Sequence, residues 1–170
     1  QLESIRQQSR TADELVVCDD ASQDETVQIL REFSAESGIK IRIYVNSANL
    51  GFTRNFEQAL RLCDGDLVFI ADQDDIWYPK KIEAVCRLCR DNPGVLGITH
   101  DGRLVDEQGQ WHGTLKREQI FRGYGRDKHA ITGALSCIRR TALVWVLPIP
   151  DGIQGHDIWM SYVFSWFPDL

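Results

Sequence analysis

Three short runs rich in apolar residues, each followed by a polar turn and then by an amphipathic segment, constrain the fold of this chain most strongly. The runs at 15–18 and 67–71 are continuously apolar, which is typical of strands buried on both faces of a sheet. The run at 41–45 alternates apolar with other residues, which favours a strand near a sheet edge. Strands alternating with helices in this way predict an open, mostly parallel α/β sheet flanked by helices, with the run at 67–71 at its centre.

The segments between the predicted strands carry apolar residues at helical spacing. Their stripes are Val27, Leu30 and Phe33; Phe56, Ala59, Leu60 and Cys63; and Ile82, Val85, Cys86 and Cys89. Asp24 and Gly38 suit the two ends of the first helix, and Pro79 suits the first turn of the third.

The pattern changes after Gly94. Residues 95–99 predict another strand, and residues 104–109 predict a hairpin or a short irregular excursion. Residues 111–130 contain few periodic apolar residues and predict a loop. A last helix is predicted from Trp159, Tyr162, Val163, Trp166 and Phe167. This stripe is interpreted as core or as contact with further chain, and the alternative is an interfacial surface near lipid.

Length and composition favour a single domain over residues 1–170. The formal net charge of −6 argues against a nucleic-acid partner, because binding to phosphates needs a basic surface. The five cysteines do not suggest a disulfide framework and are interpreted as reduced thiols of a cytosolic protein. No apolar run approaches the roughly 18 residues of a membrane-spanning helix. The reduced thiols favour a cytoplasmic protein. Peripheral contact with the inner face of the membrane is the alternative.

Both ends of the chain lie at unusual places. The chain opens with Gln1 inside a predicted helix, and it stops at Leu170 after an aromatic-rich segment. We therefore expect a domain truncated at its N-terminus and at its C-terminus, from which targeting signals would also be lost.

The strongest local signal for chemistry is Asp72-Gln73-Asp74-Asp75, which directly follows the most hydrophobic run. Ligands of open α/β sheets bind at the carboxyl ends of the strands. Neighbouring carboxylates repel one another unless a cation or a proton is present, and their oxygen atoms favour Mg²⁺ or Mn²⁺ held jointly with substrate phosphates. The alternative is a solvated acidic turn that caps the next helix.

A second acidic pair, Asp19-Asp20, follows the run at 15–18 and precedes Ala21-Ser22. By itself this pair is also consistent with an ordinary turn that has side-chain caps. The two acidic turns follow parallel strands and would open on the same sheet edge. They are therefore predicted to converge on one crevice.

Several short motifs occur in a fixed order along residues 1–167. They are Val16-Val17-Cys18-Asp19-Asp20-Ala21-Ser22-Gln23-Asp24-Glu25-Thr26, Asn49-Leu50-Gly51 with Arg54-Asn55, Gly65-Asp66 with Asp72-Gln73-Asp74-Asp75-Ile76-Trp77-Tyr78-Pro79, Thr132-Gly133, Leu147-Pro148-Ile149-Pro150, and Gly155-His156-Asp157-Ile158-Trp159. In this order they resemble the motifs of family 2 glycosyltransferases, and the last three resemble its rhamnosyltransferase-like branch. Each motif alone is common, whereas their order is specific.

The resemblance implies a glycosyltransferase A fold, the nucleotide-diphospho-sugar transferase type. It implies that Asp20 faces the nucleotide base and that Arg54 contributes to nucleotide-sugar binding. Asp72 would lie near the ribose or the diphosphate, and Asp74, together with Asp72, would ligate the Mg²⁺ or Mn²⁺ that bridges the diphosphate. Asp157 would be the catalytic base that activates the acceptor hydroxyl.

The acceptor side and two departures complete the comparison with that family. Trp77, His156 and Trp159 are expected on the acceptor side. Thr53 stands where the family motif has Ala. The family's first strand, which contacts the nucleotide, would precede Gln1, so the sheet is expected to lack a central strand.

The expected activity is an inverting transfer of a sugar, with rhamnose as one candidate, from a nucleoside diphosphate to a glycan or a lipid-linked acceptor. The metal would neutralise the leaving diphosphate while a carboxylate takes the acceptor proton. A nucleotidyltransferase of similar sheet architecture and a non-catalytic nucleotide- or carbohydrate-binding relic are the alternatives. The pairs His156-Asp157 and His100-Asp101 lack a third ligand at the spacing of a zinc site.

Overall fold

The computed structural model describes residues 1–124 and 131–167. Its strands are β1 (Leu15–Asp19), β2 (Ile41–Val45), β3 (Leu67–Phe69), β4 (Gly97–Thr99), β5 (Arg103–Val105), β6 (Trp111–Leu115) and β7 (Ser136–Arg139). Its α-helices are α1 (Leu2–Arg6), α2 (Thr26–Glu36), α3 (Phe52–Leu62), α4 (Lys81–Asp91), α5 (Lys116–Tyr124), α6 (Leu143–Val146) and α7 (His156–Phe164). Short 3₁₀ turns at Gly133–Leu135 and Arg140–Ala142 flank β7.

The described strands form two small sheets and a hairpin. β1 and β2 pair in parallel, with Leu15 opposite Ile41 and Asp19 opposite Val45. β7 lies between β3 and β4 and runs antiparallel to both, whereas β5 and β6 form an antiparallel pair. The predicted α/β class with helices around a small parallel sheet is confirmed, and β7 adds antiparallel pairs that the sequence does not predict.

A cavity of about 840 Å³ separates β1 from β3. Residues of both strands line it, and no described strand pairs with the edges that face it. β3 is therefore an end strand of its hydrogen-bonded sheet, whereas its apolar run predicts a central position. That run is buried by packing against helices rather than by strands on both sides. The interruption agrees with the expected absence of a central strand.

Three clusters of buried side chains hold the helices against the strands, and the smallest consists of Val85, Cys89 and Cys137. The first joins α3, α6 and α7 to β3 and β7, and its members are Leu60, Val68, Ile70, Ile138, Leu143, Val146, Met160 and Val163. The second includes residues of α1 and α4, and its members are Ile5, Ile39, Trp77 and Ile82. All five cysteines are free, as predicted. Within residues 1–124 and 131–167, no helix has both the length and the apolar character to cross a bilayer.

Residues 111–124, which are predicted to belong to a loop, form β6 and α5 instead. The turn before β6 is stabilised by Asp106, whose Oδ1 accepts hydrogen bonds from the amides of Gln108 and Gln110 at 3.0 and 2.8 Å. Strand pairing rather than apolar periodicity therefore organises this segment. The remainder of the predicted loop, 125–130, lies outside the described residues.

Candidate active site

The acidic turn follows β3 at the edge of the cavity between β1 and β3. Asp72 and Asp75 are half-buried, and Asp74 is exposed. Burial raises the pKa of Asp72, and repulsion by the carboxylates of Asp75, Asp74 and Asp157 raises it further. The acidic turn and the predicted catalytic base therefore lie close enough to influence each other, although 85 positions separate Asp72 from Asp157 in the sequence.

Asp20 follows β1 and lines the same cavity as Asp72, so the two acidic turns converge as predicted. Its carboxylate accepts hydrogen bonds from the amides of Leu50 and Gly51 at 2.8 and 2.9 Å and from Asn46 Nδ2 at 2.9 Å. Burial alone would raise the pKa of Asp20, but these hydrogen bonds outweigh it and lower the pKa. Asp20 thus ties the turn before α3 to the end of β1. Its expected contact with the nucleotide base stays a prediction.

Asp157 lies in the first turn of α7, as expected for a carboxylate favoured by the positive end of a helix dipole. The residue before the helix is Gly155, whose φ of 120° favours glycine. The amide of Gly155 donates a hydrogen bond to Thr53 Oγ1 at 2.9 Å. Thr53, where the family motif has Ala, therefore fixes the approach to the helix that carries Asp157.

Arg54 lies beside the loop that precedes α7. Its guanidinium donates hydrogen bonds to the carboxylates of Glu57 and Asp151 and to the carbonyl oxygen of Ile149. The expected contact of Arg54 with the nucleotide sugar stays a prediction. Arg54 connects the start of α3 to the segment leading to Asp157.

Of the three residues expected on the acceptor side, Trp77 and His156 are buried and Trp159 is half-buried. Their place on the acceptor side stays a prediction. Trp77 is only 7% exposed and belongs to the second buried cluster. The His156 ring is 5% exposed and stacks on Phe56 at 3.9 Å between ring centroids. Trp159 packs on the first buried cluster, and its Nε1 donates a hydrogen bond to Val146 O at 2.8 Å. The large aromatic side chains of these residues therefore contribute to packing in the interior.

His156 nevertheless has an unusual environment next to Asp157. Among the described residues neither of its ring nitrogens has a hydrogen-bond partner. Burial lowers its pKa, although the charge of Asp157 opposes that effect, so the neutral ring is favoured. A Cβ atom at Gly133 would lie 2.3 Å from His156 Nε2, so the buried ring requires glycine at this position.

Lys81 also belongs to the site, although sequence reasoning assigns it no role. Its Nζ donates a hydrogen bond to Ala134 O at 3.0 Å and lies 3.8 Å from the centroid of the Trp77 ring. Asp72 and Asp75 attract the ammonium. The sequence contains one signal for Lys81. It lies two positions after Pro79, at the predicted start of a helix, where the helix dipole disfavours a cation.

The acidic turn suits a divalent cation that is shared with a diphosphate. No group of three or more His, Cys, Asp or Glu side chains in the described parts of the chain is arranged to hold a metal by itself. Mg²⁺ is usually bound by one or two carboxylates together with substrate phosphates. Burial raises the pKa values of Asp72 and Asp75, and repulsion by neighbouring carboxylates raises them further, so a cation at the turn would stabilise their charged forms. The residues present therefore fit Mg²⁺ or Mn²⁺.

The α/β fold with acidic turns at one end of its strands is typical of the glycosyltransferase A type. Residues 2–145 match the family model described as glycosyl transferase family 2. The chain belongs to this family.

Curated relatives agree with this assignment. The chain is 33% identical over 82 residues to the putative glycosyltransferase EpsE of Bacillus subtilis, a match covering 48% of this chain and 30% of EpsE. It is 28% identical over 136 residues to the chondroitin synthase of Escherichia coli, covering 80% of this chain and 19% of the synthase. The matched regions are thus less than a third of each relative's length.

Solved structures share the fold. The mannosyltransferase PcManGT from Pyrobaculum calidifontis, in complex with GDP-Man and Mn²⁺, matches 97% of this chain and 46% of its own, with a TM-score of 0.70 and 20% identity. TarS 1–349 from S. aureus, in complex with UDP, matches 84% of this chain and 43% of its own, with a TM-score of 0.63 and 17% identity. Both likenesses confirm the predicted glycosyltransferase A fold.

Proposed function

We propose that the chain forms most of the catalytic domain of an inverting glycosyltransferase. The enzyme moves a sugar from a nucleoside diphosphate to the hydroxyl of a glycan or a lipid-linked acceptor. The observation that carries this proposal is the proximity of Asp157 to the acidic turn, because transfer requires a proton acceptor beside the diphosphate end of the donor. Family membership supports the reaction class.

In the proposed mechanism, Asp72 and Asp74 would hold a Mg²⁺ or Mn²⁺ ion, which would stabilise the charge developing on the leaving diphosphate. Asp157 accepts the proton of the acceptor hydroxyl as the hydroxyl oxygen attacks the anomeric carbon. The attack takes place opposite the leaving group in a single displacement, so the configuration is inverted. Asp20 orients the turn before α3 on the nucleotide side, and Thr53 and Arg54 hold the segment that leads to Asp157.

Rhamnose is the proposed sugar, and it is supported by the resemblance of residues 132–133, 147–150 and 155–159 to the rhamnosyltransferase-like branch. Structural neighbours bind other donors, since TarS 1–349 is in complex with UDP-GlcNAc and PcManGT with GDP-Man. A role in polysaccharide or cell-envelope synthesis is supported by the relation to EpsE and chondroitin synthase. We further propose a cytoplasmic location, with peripheral contact at the inner face of the membrane if the acceptor is lipid-linked.

A donor-hydrolysis screen of the full-length protein tests this function. UDP-, dTDP- and GDP-sugars are supplied with Mn²⁺ or Mg²⁺, and release of the nucleoside diphosphate is measured. One donor is expected to be hydrolysed in a metal-dependent way, and Asp74→Ala should remove most of that activity. Release of pyrophosphate from a nucleoside triphosphate would favour a nucleotidyltransferase instead. Intact donors together with tight nucleotide binding would favour a non-catalytic relic.

A further inference from the structure

The ammonium group of Lys81 is held in a fixed place beside the acidic turn. Two contacts anchor it, the hydrogen bond to the buried Ala134 and the face of the Trp77 ring. Burial lowers the pKa of Lys81 to about 8, so the charged form still predominates at pH 7. The adjacent Lys80, by contrast, is exposed. The helix dipole disfavours a cation in the first turn of a helix, so nearby negative charge is needed to stabilise the ammonium of Lys81.

That negative charge comes from the acidic turn. Asp75 and Asp72 both attract Lys81 and oppose the effect of burial on it. Asp75 is also faced by Lys116. The charge of Lys81 acts on both Asp72 and Asp75. The anchored ammonium therefore offsets part of the charge of these two carboxylates.

We propose that Lys81 is a positioning residue that acts as a counter-charge, which keeps the acidic turn from binding a divalent cation without a nucleotide. The inference rests on the proposed function, because it takes this turn to be the site of the metal and the diphosphate. A divalent cation near Asp72 and Asp74 is repelled by the ammonium, whose two anchors prevent it from moving away. A diphosphate adds negative charge and oxygen ligands that outweigh this repulsion. The cation and the donor therefore bind together.

Binding of Mn²⁺ alone tests this inference without any need for turnover. The electron paramagnetic resonance signal of free Mn²⁺ is followed at pH 7 in titrations of the full-length protein, with and without UDP or GDP. Wild-type protein should bind Mn²⁺ at least about tenfold more tightly when its nucleotide is present, a coupling of ordinary size. Lys81→Met, which keeps the length of the side chain, should bind Mn²⁺ alone about tenfold more tightly than wild type because the repulsion is gone.

Two further variants separate charge from shape. Lys81→Arg keeps the positive charge and should bind Mn²⁺ alone as weakly as wild type. Lys80→Met removes a charge from the exposed neighbour and should leave Mn²⁺ binding unchanged, with or without nucleotide. A Lys81→Arg protein that matches Lys81→Met would show that the fit of the side chain, not its charge, sets the affinity, and would overturn the proposal.

The remaining outcomes distinguish the two levels of the proposal. If wild type binds Mn²⁺ and nucleotide together but Lys81→Met does not tighten binding of Mn²⁺ alone, the counter-charge role is refuted and the proposed function stands. If wild type binds no Mn²⁺ under any condition, the proposed function itself fails. If thermal unfolding shows that Lys81→Met is not folded, the Mn²⁺ titration of the wild-type protein still tests the counter-charge role. Tight binding of Mn²⁺ without nucleotide would overturn that role.

Discussion

At the scale of single residues, the site places two adjacent side chains in opposite environments. His156 is buried without hydrogen-bond partners among the described residues and is favoured as the neutral ring. Asp157 is half-buried at the start of α7, and its charge reaches Asp72. The first residue fixes the start of the helix by packing, and the second presents a carboxylate to the site.

Asp157→Asn should lower kcat by about 10²–10⁴-fold, because the amide keeps the shape of the side chain but cannot accept the proton. Donor affinity should change little. If Asp157 only stabilised the start of α7, its loss would cost about 1 kcal/mol of unfolding free energy and leave turnover intact. Steady-state kinetics and thermal unfolding separate these cases, with Asp91→Asn at the exposed end of α4 as the control. A folded Asp157→Asn enzyme with near-wild-type turnover would exclude the role of base.

Gly133→Ala should disturb the packing of His156, because the added Cβ would lie 2.3 Å from Nε2. We expect a loss of about 1–3 kcal/mol in unfolding free energy, the usual cost of overpacking, and a fall in kcat as the start of α7 shifts. Gly94→Ala is the control, since a Cβ there meets nothing within 4 Å. Adding His156→Ala to Gly133→Ala should restore part of the lost stability. A Gly133→Ala protein as stable as the control would contradict the close contact.

At the scale of elements, the start of α3 holds the segment that leads to α7. Thr53 accepts a hydrogen bond from Gly155, and Arg54 contacts Ile149 and Asp151. On the same helix the buried Glu57 binds both Arg54 and Arg61. The position of the proposed base therefore depends on one helix that lies about a hundred residues earlier in the chain.

Glu57 should make the stability of this arrangement depend on pH. Burial alone would raise its pKa, but hydrogen bonds from Arg61 and Arg54 outweigh that effect and lower the pKa below the ordinary 4.5. The carboxylate therefore contributes stability that is fully present above pH 4.5, and it is lost as the pH falls below 4.5 through the lowered value. At pH 7, Glu57→Gln should lower the unfolding free energy by about 1–3 kcal/mol.

Urea unfolding of wild type and Glu57→Gln between pH 3 and pH 7 checks this pH dependence. The difference between the two proteins should shrink towards the acid end, because Glu57 is then protonated in wild type as well. Glu107→Gln, at an exposed position in the hairpin turn, should show no such difference. A constant difference across the range would mean that shape rather than charge accounts for the effect.

Elements with a strong apolar pattern could be predicted from the sequence, and those that depend on distant partners could not. β1, α3, β3 and α4 carry continuous or helically spaced apolar residues. β7 has four residues, and it is recognisable as a strand only from its pairing with β3 and β4 in the structure. In α5 the adjacent residues Ile120 and Phe121 form no stripe, so the local pattern gives no helix signal.

The residues of the site, like the elements, divide into those that local sequence predicts and those that depend on distant partners. Asp20 and Asp72 were predictable because each follows an apolar strand, and Asp157 was placed by its motif. The contacts of Lys81 with Ala134 and of Arg54 with Asp151 join residues 53 and 97 positions apart. Such contacts arise only once α3, α4 and β7 have packed, and no local spacing encodes them.

At the scale of the whole molecule, the cavity between β1 and β3 divides the sheet into two parts. The amide of Leu15 donates to Lys40 O at 2.9 Å, which directs the Leu15 amide towards β2. The amide of Ile70 donates to Ser136 O at 3.3 Å, which directs the Ile70 amide towards β7. Successive amides of a strand point to opposite sides within the sheet. Alternate amides of β1 and β3 therefore point into the cavity.

This alternation predicts a pattern of amide hydrogen exchange within each strand. Val17 and Val68 direct their amides to a paired strand, whereas Val16, Cys18 and Phe69 direct theirs towards the cavity, where no described strand accepts a hydrogen bond. The three cavity-facing amides should exchange about a hundredfold faster, because their exchange needs no opening of a strand pair. Exchange followed by NMR on residues 1–170 measures each amide, and the neighbours within one strand serve as the control for each other.

Equal protection of Val16 and Val17 would mean that β1 is paired on both sides and that the sheet is continuous. Fast exchange of both would mean that the pair of β1 and β2 itself opens readily.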